Sequence, residues 1–214
     1  REKLTLIQQK HLHPIWGLGG GDVFEVLADA ARVASDEIAG MDVFAYDCQP
    51  PEIVSDTFFA SGRQDNLVSV HASLRALLDA EPTEIAVLAA FDHEEVGSST
   101  ATGACGPILE TVLRRTVLAI GASEDEFFQM MSRSSCVSSD AGHSVNPNYP
   151  EIHDPEQHPV RGAGPMLKIN ANQRYASGAK GQALWLQACF ESGQATQEFV
   201  SNNAVTCGST IGPL

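Results

Sequence analysis

Apolar positions recur with a helical period along much of the 214-residue chain. Val26, Leu27, Ala30, Val33 and Ala34 return every three or four residues across 23–38, with Asp22 placed as N-cap and Gly40 closing the stretch. The same spacing predicts helices over 66–80 (Leu67, Val70, Leu74, Leu77 and Leu78), 107–120, 124–131 and 177–191. Short apolar runs lie between them. The run 85–91 is unbroken, as in a strand buried on both faces, and 43–46, 136–139 and 166–169 read as shorter strands. Strands alternating with helices predict an α/β fold, a mainly parallel sheet with helices on both faces.

Punctuation divides the pattern. Gly17-Leu18-Gly19-Gly20-Gly21 is a break; no G-K-[ST] follows it, so a linker or turn is favoured over a phosphate loop. Pro50-Pro51 interrupts the chain again. The chain is therefore read as an N-terminal appendage, 1–45, and a main domain, 46–214. In parallel α/β sheets function sits in loops at the carboxyl ends of strands, which points to 92–97, 140–149 and 170–177.

Composition narrows the function. Apolar residues make up 43% and charged residues 19%, enough to build a core. Twenty-seven acidic residues against 13 basic ones leave a net charge of −14, and no basic run occurs. Nucleic-acid binding, which needs phosphate neutralisation, is set aside. An acidic substrate would need a local cation against this field. The five cysteines, at 48, 105, 136, 189 and 207, are widely spaced and form no C-x-x-C. They read as thiols of a reducing, cytoplasmic compartment rather than a disulfide framework or zinc knuckle. No apolar run approaches the roughly 18 residues of a membrane span. The N-terminus resembles no signal peptide and lacks an initiator Met, so the chain is expected to begin inside a longer gene product.

The candidate chemistry is carboxylate. Asp92-His93-Glu94-Glu95-Val96-Gly97 follows the apolar run 85–91 directly. Two glutamates there are costly to bury without a partner, and a metal ion supplies one. One Glu can then ligate while the other takes a proton from water. Asp140 closes 137–139, and Asp65 opens the helix at 66. Each alone reads as a solvated turn or a helix cap. Together, at one sheet edge, they suit a two-metal hydrolytic site. A carboxylate-pair glycoside hydrolase using Glu94 and Asp140 is the rival enzyme class, although aromatics are sparse at 7%. A Ser-His-Asp hydrolase is weaker still, since G-x-S-x-G is absent.

These stretches resemble the aspartyl aminopeptidase family of dizinc metallopeptidases. The matching segments are Arg63-Gln64-Asp65-Asn66, Asp92-His93-Glu94-Glu95-Val96-Gly97-Ser98, Ser139-Asp140-Ala141-Gly142-His143-Ser144-Val145-Asn146-Pro147-Asn148-Tyr149, Gly164-Pro165-Met166-Leu167-Lys168-Ile169-Asn170, Gln173-Arg174-Tyr175-Ala176-Ser177 and Cys207-Gly208-Ser209-Thr210-Ile211-Gly212-Pro213. They run in the family's order over roughly residues 42–214.

The resemblance implies a metal-dependent aminopeptidase that removes acidic residues from peptide N-termini. It implies two divalent ions, zinc first, with manganese or cobalt as substitutes. Asp65 looks like the bridging carboxylate, Glu95 and Asp140 like ligands of one ion each, and Glu94 like the general base. His143, Lys168 and Tyr175 look like substrate-pocket residues, with Lys168 the cation for an acidic side chain. The family also uses a histidine ligand near its N-terminus and another beyond the segment ending here. Neither is visible, and His11, His13, His71, His153 and His158 match no such setting. The resemblance further implies a large homo-oligomer, with residues 1–45 as the tail of an inserted oligomerisation domain. A non-catalytic assembly module is the alternative of another class.

Overall fold

The computed structural model describes residues 4–202, 204, 205 and 208. The chain divides into two compact units, Arg1–Gly62 and Arg63–Leu214, so the division falls downstream of the 45/46 boundary read from the sequence.

The first unit carries two helices, α1 (Gln8–His11) and α2 (Val23–Ala31), and a hairpin of β1 (Glu52–Val54) and β2 (Phe58–Ala60). Asp22 caps α2 as expected: its Oδ1 accepts from the Phe24 N–H at 2.9 Å. The helix is shorter than the predicted 23–38. Arg32 turns left-handed, at φ 60°, and its N–H returns to Ala28 and Asp29 carbonyls. A separate 3-10 turn, Ser35–Glu37, follows. The hairpin was not legible from alternation. It pairs Ile53 with Phe59 in an antiparallel register. Its three-residue loop, Ser55 to Thr57, has positive φ at both Ser55 (54°) and Asp56 (51°), and the Thr57 N–H returns to the Val54 carbonyl at 3.2 Å. The strand expected at 43–46 does not form, and its Phe44 and Tyr46 are exposed.

The second unit opens with α3 (Gln64–Asp79), then α4 (Ile108–Ala119) and α5 (Glu124–Arg133), and ends with β3 (Met166–Ile169), α6 (Ala179–Glu191) and β4 (Gln197–Val200). All four helices fall close to their predicted spans. Ser123 and Glu126 close a reciprocal capping box at the start of α5. Arg114 of α4 lies over the rings of Phe127 (5.1 Å) and Phe128 (5.6 Å) of α5 and pairs with Glu110 and Glu124. Phe127 and Val117 are buried at this contact.

The parallel part of the expectation survives as β3–α6–β4. The two strands pair parallel, from Met166 opposite Gln197 to Ile169 opposite Val200. Trp185 of α6 donates to the Thr196 hydroxyl at 3.0 Å, and Phe199 and Cys189 are buried here.

A larger parallel sheet is not formed among the described residues. Segments 85–91 and 136–139, read as strands, join no ladder among the described residues. A strand is stabilised by the N–H and C=O groups of its neighbours, and among the described residues these two segments make no such ladder. Ile85, Val87 and Val137 are accordingly exposed. The accessible surface is 17233 Å². A folded monomer of this mass exposes about 9,600 Å². Much of the apolar pattern legible in the sequence is thus left uncovered.

Candidate functional site

Glu94 and Glu95 stand on a short 3-10 turn, Glu94–Val96, immediately after the 85–91 run. Left-handed residues bracket the turn: His93 at φ 63°, Gly97 at 104° and Ser98 at 59°. The following segment folds back to hold it. Ser98 N–H donates to the His93 carbonyl (2.9 Å), Asp92 N–H to the Thr102 carbonyl (3.2 Å) and Cys105 N–H to the Ser98 carbonyl (3.2 Å). His93 Nδ1 and the Thr100 hydroxyl are 2.9 Å apart. Ser98 and Ala104 are buried, so the two carboxylates are presented by a braced loop rather than a loose one.

Asp65 lies at the irregular start of α3. Its peptide bond to Asn66 is cis, and both residues depart from helical backbone angles. Asp140 arrives from a distant part of the chain, and the Asn66 side chain meets it. Asn66 Nδ2 donates to the Ser139 carbonyl at 2.9 Å, and its Oδ1 accepts from the Ala141 N–H at 3.1 Å. The residues on both sides of Asp140 are therefore held by the residue next to Asp65.

Lys168, on β3, reaches the same place. Its Nζ is 3.3 Å from Asp140 Oδ2 and 5.6 Å from the centre of the Tyr175 ring. Both ends of the ion pair are about one-quarter exposed. Burial pushes the Glu94 carboxyl above its ordinary value, and the charges of Glu95, Asp140 and Asp65 push it further, while Lys168 pulls it back. Glu94, Glu95, Asp65, Asp140 and Lys168 thus share one electrostatic neighbourhood, although they come from four separate stretches of chain.

His143 goes elsewhere. Its ring packs edge-on against His153 (centroids 4.9 Å apart) and against Phe199 of β4 (5.8 Å). His153 is 4% exposed. Burial, then the neighbouring His143 and His158, lower its pKa. His153 and Asn66 were the residues sequence reasoning passed over. Asn66 acts on chain 73 and 75 residues away, and His153 packs on His143 and His158, contacts that no local periodicity marks.

The donor chemistry suits a divalent cation. Carboxylates are hard oxygen donors, and the charge crowding felt by Glu94 is what a dication relieves. Among the described residues, however, no three His, Cys, Asp or Glu side chains group closely enough to hold a metal ion. The carboxylates fit part of a donor set and do not close it. The segment 207–213 quoted from the sequence lies outside the described residues except for Gly208.

A family model, aminopeptidase I zinc metalloprotease (M18), matches residues 19–214. The chain belongs to the M18 aminopeptidase family. The M18 chain is 45% identical over 222 residues to a probable M18 family aminopeptidase 2 of Streptomyces avermitilis, covering 99% of this chain and 51% of that protein. It is similar in structure to a chain of the Ape4 and Nbr1 complex solved by cryo-electron microscopy, with TM-score 0.74, 29% identity, and coverage of 89% of this chain and 39% of that one. It is also similar to the S. cerevesiae mApe1 dodecamer, with TM-score 0.67, 27% identity, and coverage of 89% and 44%. The M18 chain spans about half the length of the curated relatives it matches. Its structural relatives share the α/β peptidase-like fold, and its family is one of zinc-dependent aminopeptidases.

Proposed function

We propose that this chain is the carboxylate-bearing part of a metal-dependent aminopeptidase that releases acidic residues from peptide N-termini. The observation that carries the reading is the common electrostatic neighbourhood of Glu94, Glu95, Asp65 and Asp140 beside one lysine. Asp65, Glu95 and Asp140 would hold divalent ions, zinc by family, together with donors other than these. When bound, the ions supply Lewis acidity at the scissile carbonyl and acidify the attacking water. Glu94, beside these donors, would accept the proton of the attacking water and return it to the leaving amine. Lys168 offers its ammonium to the acidic side chain of the substrate, beside the Tyr175 ring. The family resemblance gives His143 a substrate-pocket role as well, although its ring packs against His153 and Phe199.

Assembly is part of the same reading. The dodecameric relative supports a large homo-oligomer, with residues 1–45 contributing to an inserted oligomerisation domain and 46–214 to the catalytic one. A cytoplasmic setting is supported by Cys48, Cys105, Cys136 and Cys189, none of which is in a disulfide. Among the described residues no helix is long and apolar enough to cross a membrane. A second reading, a non-catalytic assembly module, is favoured by the open donor set.

The test uses the full-length protein and peptides beginning with Asp, Glu or Leu. Chelation is expected to abolish release of the acidic residue and zinc to restore it, and Glu94→Gln is expected to lower kcat by at least about a hundredfold. Chelator-resistant turnover, or near-normal turnover by Glu94→Gln, overturns the proposal.

A further inference from the structure

The backbone around Asp140 has no sheet to hold it, since 134–140 joins no ladder among the described residues. A metal donor in that position needs another source of order. The Asn66 amide provides it in the manner of one rung of a β-ladder. It gives a proton to the carbonyl before Asp140 (Ser139, 2.9 Å) and takes one from the N–H after it (Ala141, 3.1 Å).

We propose that Asn66 is a positioning residue that keeps Asp140 in register with Asp65 by bracketing the peptide groups on either side of Asp140. This rests on the reading of Asp65 and Asp140 as metal donors.

The chemistry selects the residue type. A carboxamide offers a donor and an acceptor on one short planar group in every ordinary protonation state. An ionised aspartate would set an oxygen against the Ser139 carbonyl, leucine would leave both peptide groups unanswered, and glutamine would carry the amide one carbon too far. The position matters equally. Asn66 follows Asp65 directly, so the rung couples the two carboxylates through two stiff connections. Asp65 is tied to the amide by one peptide unit, and Asp140 lies between the two groups that the amide holds. The 73 and 75 residues separating the partners make this a tertiary device, absent from any local pattern. Residues that orient metal donors typically set affinity as strongly as this role requires.

The experiment titrates zinc into the metal-stripped full-length protein against a competing chelator, for the native chain, Asn66→Ala, Asp65→Asn and Asp140→Asn. Asn66→Ala is expected to weaken zinc about ten- to a hundredfold. The kcat should fall with it while KM for an acidic peptide changes little, and the melting temperature of the metal-stripped protein should hardly move. Unchanged zinc affinity in Asn66→Ala, with the two aspartate changes weakening it, overturns the positioning role alone. Unchanged affinity in the aspartate changes overturns the metal reading and this proposal with it. Should Asn66→Ala fail to fold, Asn66→Ser, too short to span both peptide groups, is read in the same way.

Discussion

Lys168 Nζ lies 3.3 Å from Asp140 Oδ2, so the cation suited to an acidic substrate is already shared with a carboxylate proposed to bind metal. The pair is only partly buried, which limits its worth to the fold and leaves the ammonium reachable. Lys168→Met keeps the aliphatic stem and removes the charge. It is expected to cut kcat/KM for peptides with acidic N-termini by at least about tenfold relative to Leu-initiated ones. Steady-state kinetics on matched peptides checks this, and an unaltered ratio removes Lys168 from the pocket.

Gly103 is required by packing within the loop that presents Glu94. A Cβ there would run into the carbonyl group of Ser98. Backbone cannot yield as a side-chain tip can, so Gly103→Ala is expected to cost about 1–3 kcal/mol and to lower kcat by displacing the Glu94–Val96 turn. Denaturant unfolding and kinetics measure the two effects. Full stability with full activity would show that the loop is softer than its contacts indicate.

His153 gives the protein an acid-sensitive element. Its ring is buried against His143 and near His158, and the folded state lowers its pKa from 6.5. The unfolded chain therefore binds the proton first as pH falls. Stability from this residue is complete above about pH 6.5 and is lost as pH drops through and below that value. Melting temperatures between pH 5 and pH 7.5 are expected to rise with pH in the native protein, and less steeply in His153→Gln. Parallel slopes for the two proteins would assign the acid sensitivity elsewhere.

Phe127 is 2% exposed where α4 meets α5. Phe127→Ala removes the ring beneath Arg114 and leaves a cavity, at a cost of about 3–5 kcal/mol. Phe128, 58% exposed, serves as the control, and Phe128→Ala is expected to cost much less. Equal losses in thermal unfolding would contradict the burial pattern.

The helices were legible because a helix satisfies its backbone within one segment, so periodicity and caps suffice to locate it. Asp22 and the Ser123–Glu126 pair act as their residue types imply. The strand 166–169 was legible too, and it found a partner in β4. The run 85–91 was equally apolar and found none among the described residues. The β1–β2 hairpin was missed because its turn uses Ser55 and Asp56 rather than the glycine that usually marks such a turn.

The site divides in the same way. Residue types alone named Glu94, Glu95, Asp65 and Asp140 as carboxylates at element ends, and resemblance assigned them roles. That they share one field, that Lys168 leans on Asp140, that Asn66 brackets Asp140 and that His143 packs on His153 were decided by the tertiary structure. Local spacing determines which backbone groups a segment can satisfy by itself. Contacts across tens of residues depend on which surfaces meet, and that information is distributed over the whole fold rather than written in any one stretch.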